Sequence, residues 1–240
     1  MNPSPYPAPY NSAHVRARIL KILLIAGAVV TGVSLLTEAI SLVFPPLSEG
    51  QEVADNPAGA VLVLLIFLIA LVEVVIYLAT VIVFLMWLYR AYKNLRGLNP
   101  WNRLDYSPGW AVGSFFIPFM NLVVPYRIVK EVWQKSGPPD EAVMAAPNPP
   151  GWFAAWWLFW LLAGFANNIS MRLSFIEKIE DSTATMVSIV ASALSIIAAI
   201  FAYVVVDDID KRQEETSAKL NLGKFSMPPP PPADLSMSNV

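Results

Sequence analysis

Cysteine is absent from the 240-residue chain, and histidine occurs only once. Without cysteine the chain has no disulfide, no thiolate metal ligand and no cysteine nucleophile. The single histidine, His14, lies beside arginines near the N-terminus, and we interpret it as part of a basic flank in a flexible arm. The formal net charge of −2 provides no basic face for a phosphate backbone, so the sequence predicts no nucleic-acid partner.

Catalytic motifs are missing as well. The chain contains no H-E-x-x-H, no G-x-S-x-G and no glycine-rich loop that would cradle a nucleotide phosphate. Neither a nucleophile paired with a base nor metal ligands at helical spacing can be identified. We therefore expect no enzymatic activity, no cofactor and no metal site.

Apolar residues are abundant, at 56% of the chain, while charged residues make up only 14%. An average soluble protein carries about a quarter charged residues. The apolar residues are gathered into blocks that match the roughly 20 helical residues needed to cross a bilayer. Four blocks predict transmembrane helices at about residues 19–44, 58–88, 152–169 and 185–206. The sequence thus predicts an all-α membrane domain over residues 18–215.

Proline-rich segments occupy both ends of the chain. Residues 1–17 open with MNPSPYPAPYNS, and residues 216–240 contain the five consecutive prolines Pro228 to Pro232. Such segments cannot bury a core, so we predict two disordered arms. They serve either as solvated spacers or as ligands for a cytoplasmic protein with an aromatic-lined groove.

A fifth apolar stretch, within residues 107–136, is interrupted by Pro118 and Asn121. Ser107 can cap a short helix that has Pro108 in its first turn, and Pro118 then removes a backbone hydrogen bond. About ten helical residues reach roughly 15 Å, half of the bilayer. The stretch therefore predicts a Pro-broken helical hairpin that is either re-entrant or lies at the interface.

The second half of this hairpin is amphipathic. Its apolar face carries Ile128, Val129, Val132 and Trp133. Its polar face carries Arg127, Lys130, Glu131, Gln134 and Lys135. This pattern is typical of a helix that lies in the membrane interface.

Basic residues near span ends favour the cytoplasm. If residues 107–136 do not cross the membrane, 14 of the 16 Lys and Arg residues fall on one side and 2 on the other. If they do cross, the division is 9 against 7. The charge distribution predicts four spans, both termini in the cytoplasm, and a multi-pass protein of the inner membrane.

Glu73 and Glu38 are the acidic residues inside the predicted spans. A carboxyl group in the hydrocarbon is costly, and it marks a functional site by default. Glu73 lies near mid-span, where Thr31, Ser34 or Thr80 could donate hydrogen bonds to it. It is either a proton or cation relay or a neutral acid that joins helices. Glu38 lies nearer to the outer surface, where we expect it to be hydrated.

Asn121 and Pro118 mark the break in the hairpin. The side-chain amide of Asn121 can donate and accept hydrogen bonds. It either satisfies backbone groups left unpaired at Pro118 or lines a polar path. A further group of aromatic and basic residues is predicted to anchor at the lipid headgroups. These are Trp87, Arg90, Lys93, Trp110, Arg127, Lys130 and Trp133.

Three ordered motifs resemble a bacterial membrane family catalogued as domain of unknown function 4328. They are WLYRAYKNL (residues 87–95), YSPGWAVG with the IP, NL and PY pairs that follow (residues 106–126), and the Trp156, Trp157 and Trp160 cluster. The resemblance covers about residues 58–215 and implies a multi-span bacterial membrane protein with no agreed activity. The acidic pair Asp207 and Asp208 departs from the basic exit expected after the last span.

Taken with the missing motifs, these features predict a non-enzymatic scaffold or sensor-like interaction protein. Its predicted partners are the lipid bilayer and either a second copy of the chain or a cytoplasmic protein that binds the Pro-rich arms. The alternative is a small oligomeric transporter or channel that uses Glu73.

Overall fold

The computed structural model describes residues 10–43, 57–99, 103–138, 147–173 and 181–222, where all regular secondary structure is helical. Two short 3₁₀ helices, Ser114–Phe116 and Met120–Leu122, lie within the hairpin segment. The α-helices of the described residues are α1 (His14–Val43), α2 (Pro57–Leu98), α3 (Pro108–Gly113), α4 (Val124–Lys135), α5 (Gly151–Leu173) and α6 (Asp181–Lys219).

Three of these helices, α1, α2 and α6, are long and apolar enough to cross a membrane. They indicate a membrane protein, as predicted. The helix α5 has 23 residues, which extend about 34 Å at 1.5 Å per residue. It carries four tryptophans and two asparagines, and it is not among the described helices that are apolar enough to cross a membrane. The fourth span and the cytoplasmic location of the termini therefore stay predictions.

The long helices lie side by side in the order α2, α1, α6, α5, because α1 packs against both α2 and α6, and α6 packs against α5. The segment from α3 to α4 contacts α2 on one side and α5 on the other. The indole Nε1 of Trp157 on α5 donates a hydrogen bond of 3.0 Å to the carbonyl oxygen of Leu122. The hairpin thus lies between the two outer helices at one end of the bundle.

The buried core is concentrated at that same end, in a region that we call the cap: residues 10–21, 87–98, 124–136 and 205–219. The helices α2 and α6 reach it by continuing past the apolar blocks that were predicted to end at residues 88 and 206. Apolar side chains can face lipid inside a bilayer, but outside it they are stabilised by packing against one another. The largest fully buried side chains include Trp87, Tyr92, Leu95, Ile128, Val132, Ile209 and Gln213.

Both ends of the predicted membrane domain extend further than expected. The helix α1 begins at His14 and buries Ala13 and Ala17, so the prediction of a disordered arm is wrong for residues 10–17. The helix α6 continues past residue 215 and buries Thr216 and Ser217. The predicted arms over residues 1–9 and 223–240 lie outside the described residues.

The apolar face of α4 packs against protein instead of lipid. Ile128, Val129 and Val132 are fully buried, and Trp133 is nearly so. Trp87 on α2 is also fully buried, so the prediction that Trp87 and Trp133 anchor at headgroups is wrong. The physical reason is that the extensions of α2 and α6 provide a protein surface for these rings to cover.

Candidate functional site

The first described residues are clamped onto α6 by hydrogen bonds. The Tyr10 hydroxyl donates to Glu214 Oε1 at 2.9 Å, and the Ser12 hydroxyl donates to the same oxygen at 2.5 Å. The Ser12 Oγ also accepts the backbone N–H of His14, which opens α1. Burial raises the pKa of Tyr10, and its hydrogen bond to Glu214 raises this pKa further. Tyr10 therefore remains a protonated donor at neutral pH.

Ion pairs continue the clamp along the next turns of both helices. His14 Nδ1 lies 2.8 Å from Asp210 Oδ2, and Lys21 Nζ lies 2.7 Å from Asp207 Oδ1. Lys211 also pairs with Asp207, at 2.6 Å. His14 is thus the partner of a buried carboxylate, and its assignment to a flexible arm is wrong. Of the acidic pair that looked like a departure from the family pattern, Asp207 binds Lys21 near the start of α1, and Asp208 accepts a hydrogen bond of 3.0 Å from Trp133 Nε1 on α4.

Gln213 is the centre of a second network, which joins four segments of the cap. Its Nε2 donates to the carbonyl oxygen of Ala91 at 2.9 Å and to Ser136 Oγ at 3.0 Å. Its Oε1 accepts from Asn94 Nδ2 at 3.3 Å. Asn94 Oδ1 in turn accepts the backbone N–H of Asn11. A single side chain of α6 is therefore connected to α2, to the end of α4 and to the chain before α1.

Glu131 on α4 fixes the segment that leads into the hairpin, residues 103–107. Although we predicted it on the polar face of α4, it is only 5% exposed. Its carboxylate accepts hydrogen bonds from the Tyr92 hydroxyl at 2.8 Å, the Asp105 backbone N–H at 2.8 Å and Lys135 Nζ at 2.5 Å. The Tyr106 N–H donates to the Tyr92 hydroxyl at 2.8 Å. These bonds fix the backbone just before α3.

The hairpin breaks where the sequence predicts it. Ser107 caps α3 by accepting the Trp110 N–H at 3.2 Å. At the far tip, the Met120 N–H donates to the Pro118 carbonyl oxygen at 2.8 Å. The residue between them, Phe119, has φ 64° and ψ −40°, which corresponds to the rare and strained γ-turn with positive φ. The Phe119 ring is 86% exposed, so its packing against the described residues does not compensate for this strain.

We expect Phe119→Gly to stabilise the fold by about 1 kcal/mol, because glycine adopts positive φ without the strain that other residues suffer. Thermal unfolding of the purified protein in detergent measures the effect. The neighbouring Phe116 is also exposed but does not have positive φ, so Phe116→Gly is the control and should not stabilise. A loss of stability in Phe119→Gly would contradict the strain argument.

Glu73 has two of the three expected hydrogen-bond donors. Thr31 Oγ1 donates to Glu73 Oε1 at 2.6 Å, and Ser34 Oγ donates to Oε2 at 3.3 Å. Thr80 instead donates to the carbonyl oxygen of Ile76 in its own helix. Both carboxyl oxygens are therefore engaged by α1, and the group joins α1 to α2.

The other two polar positions also differ from expectation. Glu38, which we expected to be hydrated, accepts a hydrogen bond of 2.5 Å from Ser188 and so joins α1 to α6. The side chain of Asn121 does not satisfy the backbone of the break, because its Oδ1 is buried without a hydrogen-bond partner in the part of the chain that the structure describes. That Asn121 lines a polar path stays a prediction.

The remaining predicted anchors lie on the surface of the hairpin and the cap. Lys93, Trp110 and Arg127 are exposed, and Arg90 and Lys130 are half-buried. Contact of these side chains with headgroups stays a prediction. Elsewhere, two grooves of about 420 and 280 Å³ run along α1, and their walls are almost wholly apolar. Among the described residues there is no cluster of three or more side chains that could hold a metal ion.

The clamp was not predicted from the sequence. A usable signal was present: Asp207, Asp210 and Glu214 recur at intervals of three and four residues, which places them on one face of a helix. Residues 10–21 offer hydroxyl, imidazole and ammonium groups that complement this face. The sequence does not indicate, however, that residues 10–21 and α6 are neighbours in the fold.

A model of the family described as Domain of unknown function (DUF4328) matches residues 56–211. The match includes α2, the hairpin with Glu131, and α5, together with most of α6. It excludes α1 and the segment that is clamped onto α6. No curated protein and no solved structure matches the chain.

Proposed function

The chain belongs to the family described as Domain of unknown function (DUF4328), and on that premise we propose that it is a non-enzymatic scaffold of the bacterial inner membrane. In this proposal four helices, α1, α2, α5 and α6, cross the bilayer. The cap lies at the cytoplasmic side, where it presents the two Pro-rich segments to a protein partner.

The clamp between residues 10–21 and α6 is the observation that carries this proposal. Tyr10 and Glu214 are separated by 204 positions in the sequence but are directly hydrogen-bonded. The Pro-rich segments therefore continue from the same cap, one before Tyr10 and the other after Leu222. Two ligands that leave one rigid platform raise each other's effective concentration for a bivalent partner. This arrangement favours the recruitment of a protein partner over the transport of a solute.

The length of the helices and the charge distribution support four spans. At about 34 Å, α5 is long enough for a hydrocarbon core of about 30 Å. Because 14 of the 16 basic residues fall on the side of the cap in this topology, the cap is assigned to the cytoplasm. The hairpin then enters from the cytoplasmic side and returns to it.

A proton or cation transporter is the second candidate, and the buried, unpartnered Oδ1 of Asn121 is the observation that favours it. An unpaired buried acceptor costs free energy, and a role in lining a polar path would explain why this cost is retained. Against transport, the carboxyl group of Glu73 is engaged on both oxygens by Thr31 and Ser34.

Proton flux into liposomes that contain the purified full-length protein separates the two candidates. We expect no protein-dependent flux in the wild type or in Glu73→Gln, as measured with a pH-sensitive dye under a potassium diffusion potential. Glu38→Gln is the matched control, because Glu38 is the other carboxyl group held by a hydroxyl donor inside the bundle. A flux that Glu73→Gln abolishes and Glu38→Gln leaves intact would refute the scaffold and establish transport.

A further inference from the structure

The acidic and basic residues of the cap are distributed unequally between its interior and its surface. The carboxylates of Asp207, Asp210, Glu131 and Glu214 all point inward and are occupied by partners within the cap. Many of the basic residues point outward. Although the whole chain has a formal charge of −2, the cap therefore presents a positive surface.

Two of these basic residues, Arg16 and Arg90, lie where the start of α1 meets α2. Within the described residues neither forms an ion pair. The Arg90 side chain is hydrogen-bonded to Asn11, five residues before Arg16, so both positive charges lie at the start of α1. A pair of like charges without a counter-ion is an unfavourable arrangement that an anion would relieve.

The backbone before α1 holds Arg90 beside the start of that helix. Arg90 Nε donates a hydrogen bond of 3.0 Å to the carbonyl oxygen of Asn11. The N–H of the same residue, Asn11, donates to Asn94 Oδ1. These bonds hold the start of α1 against α2, with Arg16 in the first turn of α1. They use only one of the three guanidinium nitrogens of Arg90 and leave both terminal nitrogens for a ligand.

Both arginines lie at the boundary between the apolar helices and the cap. Arg16 precedes the apolar run that begins at Ile19, and Arg90 follows the run that ends at Leu88. Two apolar or amphipathic side chains at this level, Ile19 and Tyr89, are exposed. A molecule held by the two arginines would thus have its polar end in the cap and its apolar part along the helices.

We propose that Arg16 and Arg90 together bind the phosphate group of an anionic phospholipid from the cytoplasmic leaflet. Guanidinium groups recognise phosphate oxygens through paired, charge-assisted hydrogen bonds. The phosphate neutralises the repulsion between the arginines, while the acyl chains lie on the exposed apolar surface beside Ile19. A free phosphate would satisfy the two charges, but it would leave that apolar surface uncovered.

Native mass spectrometry of the full-length protein in a neutral detergent tests this site, with phosphatidylglycerol titrated against phosphatidylcholine of the same acyl chains. We expect the first phosphatidylglycerol to bind more tightly than phosphatidylcholine. Each basic residue near an anionic surface contributes a factor of about five in affinity, so Arg16→Gln with Arg90→Gln should weaken this binding roughly 25-fold. Arg172→Gln, at the opposite end of α5, is the matched control and should leave it unchanged.

The double variant Arg16→Lys with Arg90→Lys keeps both positive charges, and it is the control for a loss of binding that comes from misfolding of the glutamine variant. It should bind phosphatidylglycerol with intermediate affinity. Equal binding of phosphatidylglycerol to the wild type and to the glutamine variant would overturn the proposal. So would equal affinities of the wild type for the two lipids. If millimolar inorganic phosphate displaces phosphatidylglycerol completely, the site is a free-phosphate site, and its assignment to a lipid is wrong.

Discussion

Replacing Gln213 by alanine is expected to lower the free energy of unfolding by about 3 kcal/mol, because an unpaired buried polar group costs roughly 1–3 kcal/mol and several bonds are lost together. Gln213 is only 2% exposed. In the alanine variant the buried amide of Asn94 loses its acceptor. The Ser136 hydroxyl oxygen and the Ala91 carbonyl oxygen each lose the N–H donor that Gln213 provides. It also leaves a cavity where α2, α4 and α6 meet.

Thermal unfolding of the full-length protein in detergent measures this change, which corresponds to a drop in Tm of about 6–12 °C for a chain of this size. The matched control is Glu215→Ala, two residues away on the exposed side of the same helix, where surface substitutions change stability by about 0.5 kcal/mol or less. Equal effects of the two substitutions would show that the Gln213 network does not hold the cap together.

Replacing Glu131 by alanine is expected to destabilise the protein by about 3 kcal/mol, since several groups lose one buried acceptor together and each unpaired buried polar group costs roughly 1–3 kcal/mol. The ammonium group of Lys135 would lose its carboxylate partner. The N–H of Asp105 and the hydroxyl of Tyr92 would lose their acceptor at the same time. Because these groups fix the chain before α3, hydrogen exchange should accelerate in residues 103–113 more than in α5.

Two further variants separate the charge from the hydrogen bonds of this network. Tyr92→Phe removes one hydroxyl and keeps the ion pair, so its cost should be about 1–2 kcal/mol. Arg127→Ala lies on the exposed face of the same helix, α4, and should have little effect on stability. If Glu131→Ala proved as mild as Arg127→Ala, the burial of Glu131 would not be structurally important.

The membrane helices and the hairpin break could be predicted from the sequence because each depends on a local property. An apolar block of sufficient length predicts a span wherever it occurs, and Pro118 interrupts a helix whatever lies around it. The pairing of Glu73 with Thr31 and Ser34 also follows from local spacing. In an antiparallel pair of helices, residues at equal depth are neighbours, and the structure places these three side chains in contact.

The cap could not be predicted in the same way, because its contacts join segments that are far apart in the sequence. The ends of α2 and α6 carry mixed polar and apolar residues that look like solvated helix ends. Their burial depends on α4 and on the start of α1 lying between them. For the same reason, Glu131 and Trp133 looked like surface residues of an interfacial helix. Only the packed structure shows that these two side chains are covered by other helices of the same chain.

The proposed four spans, with the cap in the cytoplasm, are tested most directly by the accessibility of single cysteines in a chain that has none of its own. Asp140→Cys lies between α4 and α5, and Phe175→Cys lies between α5 and α6. Each variant is treated in intact cells with a membrane-impermeant thiol reagent and again after permeabilisation. The four-span arrangement predicts that position 175 is labelled in intact cells and that position 140 is labelled only after permeabilisation. The reverse pattern would contradict it.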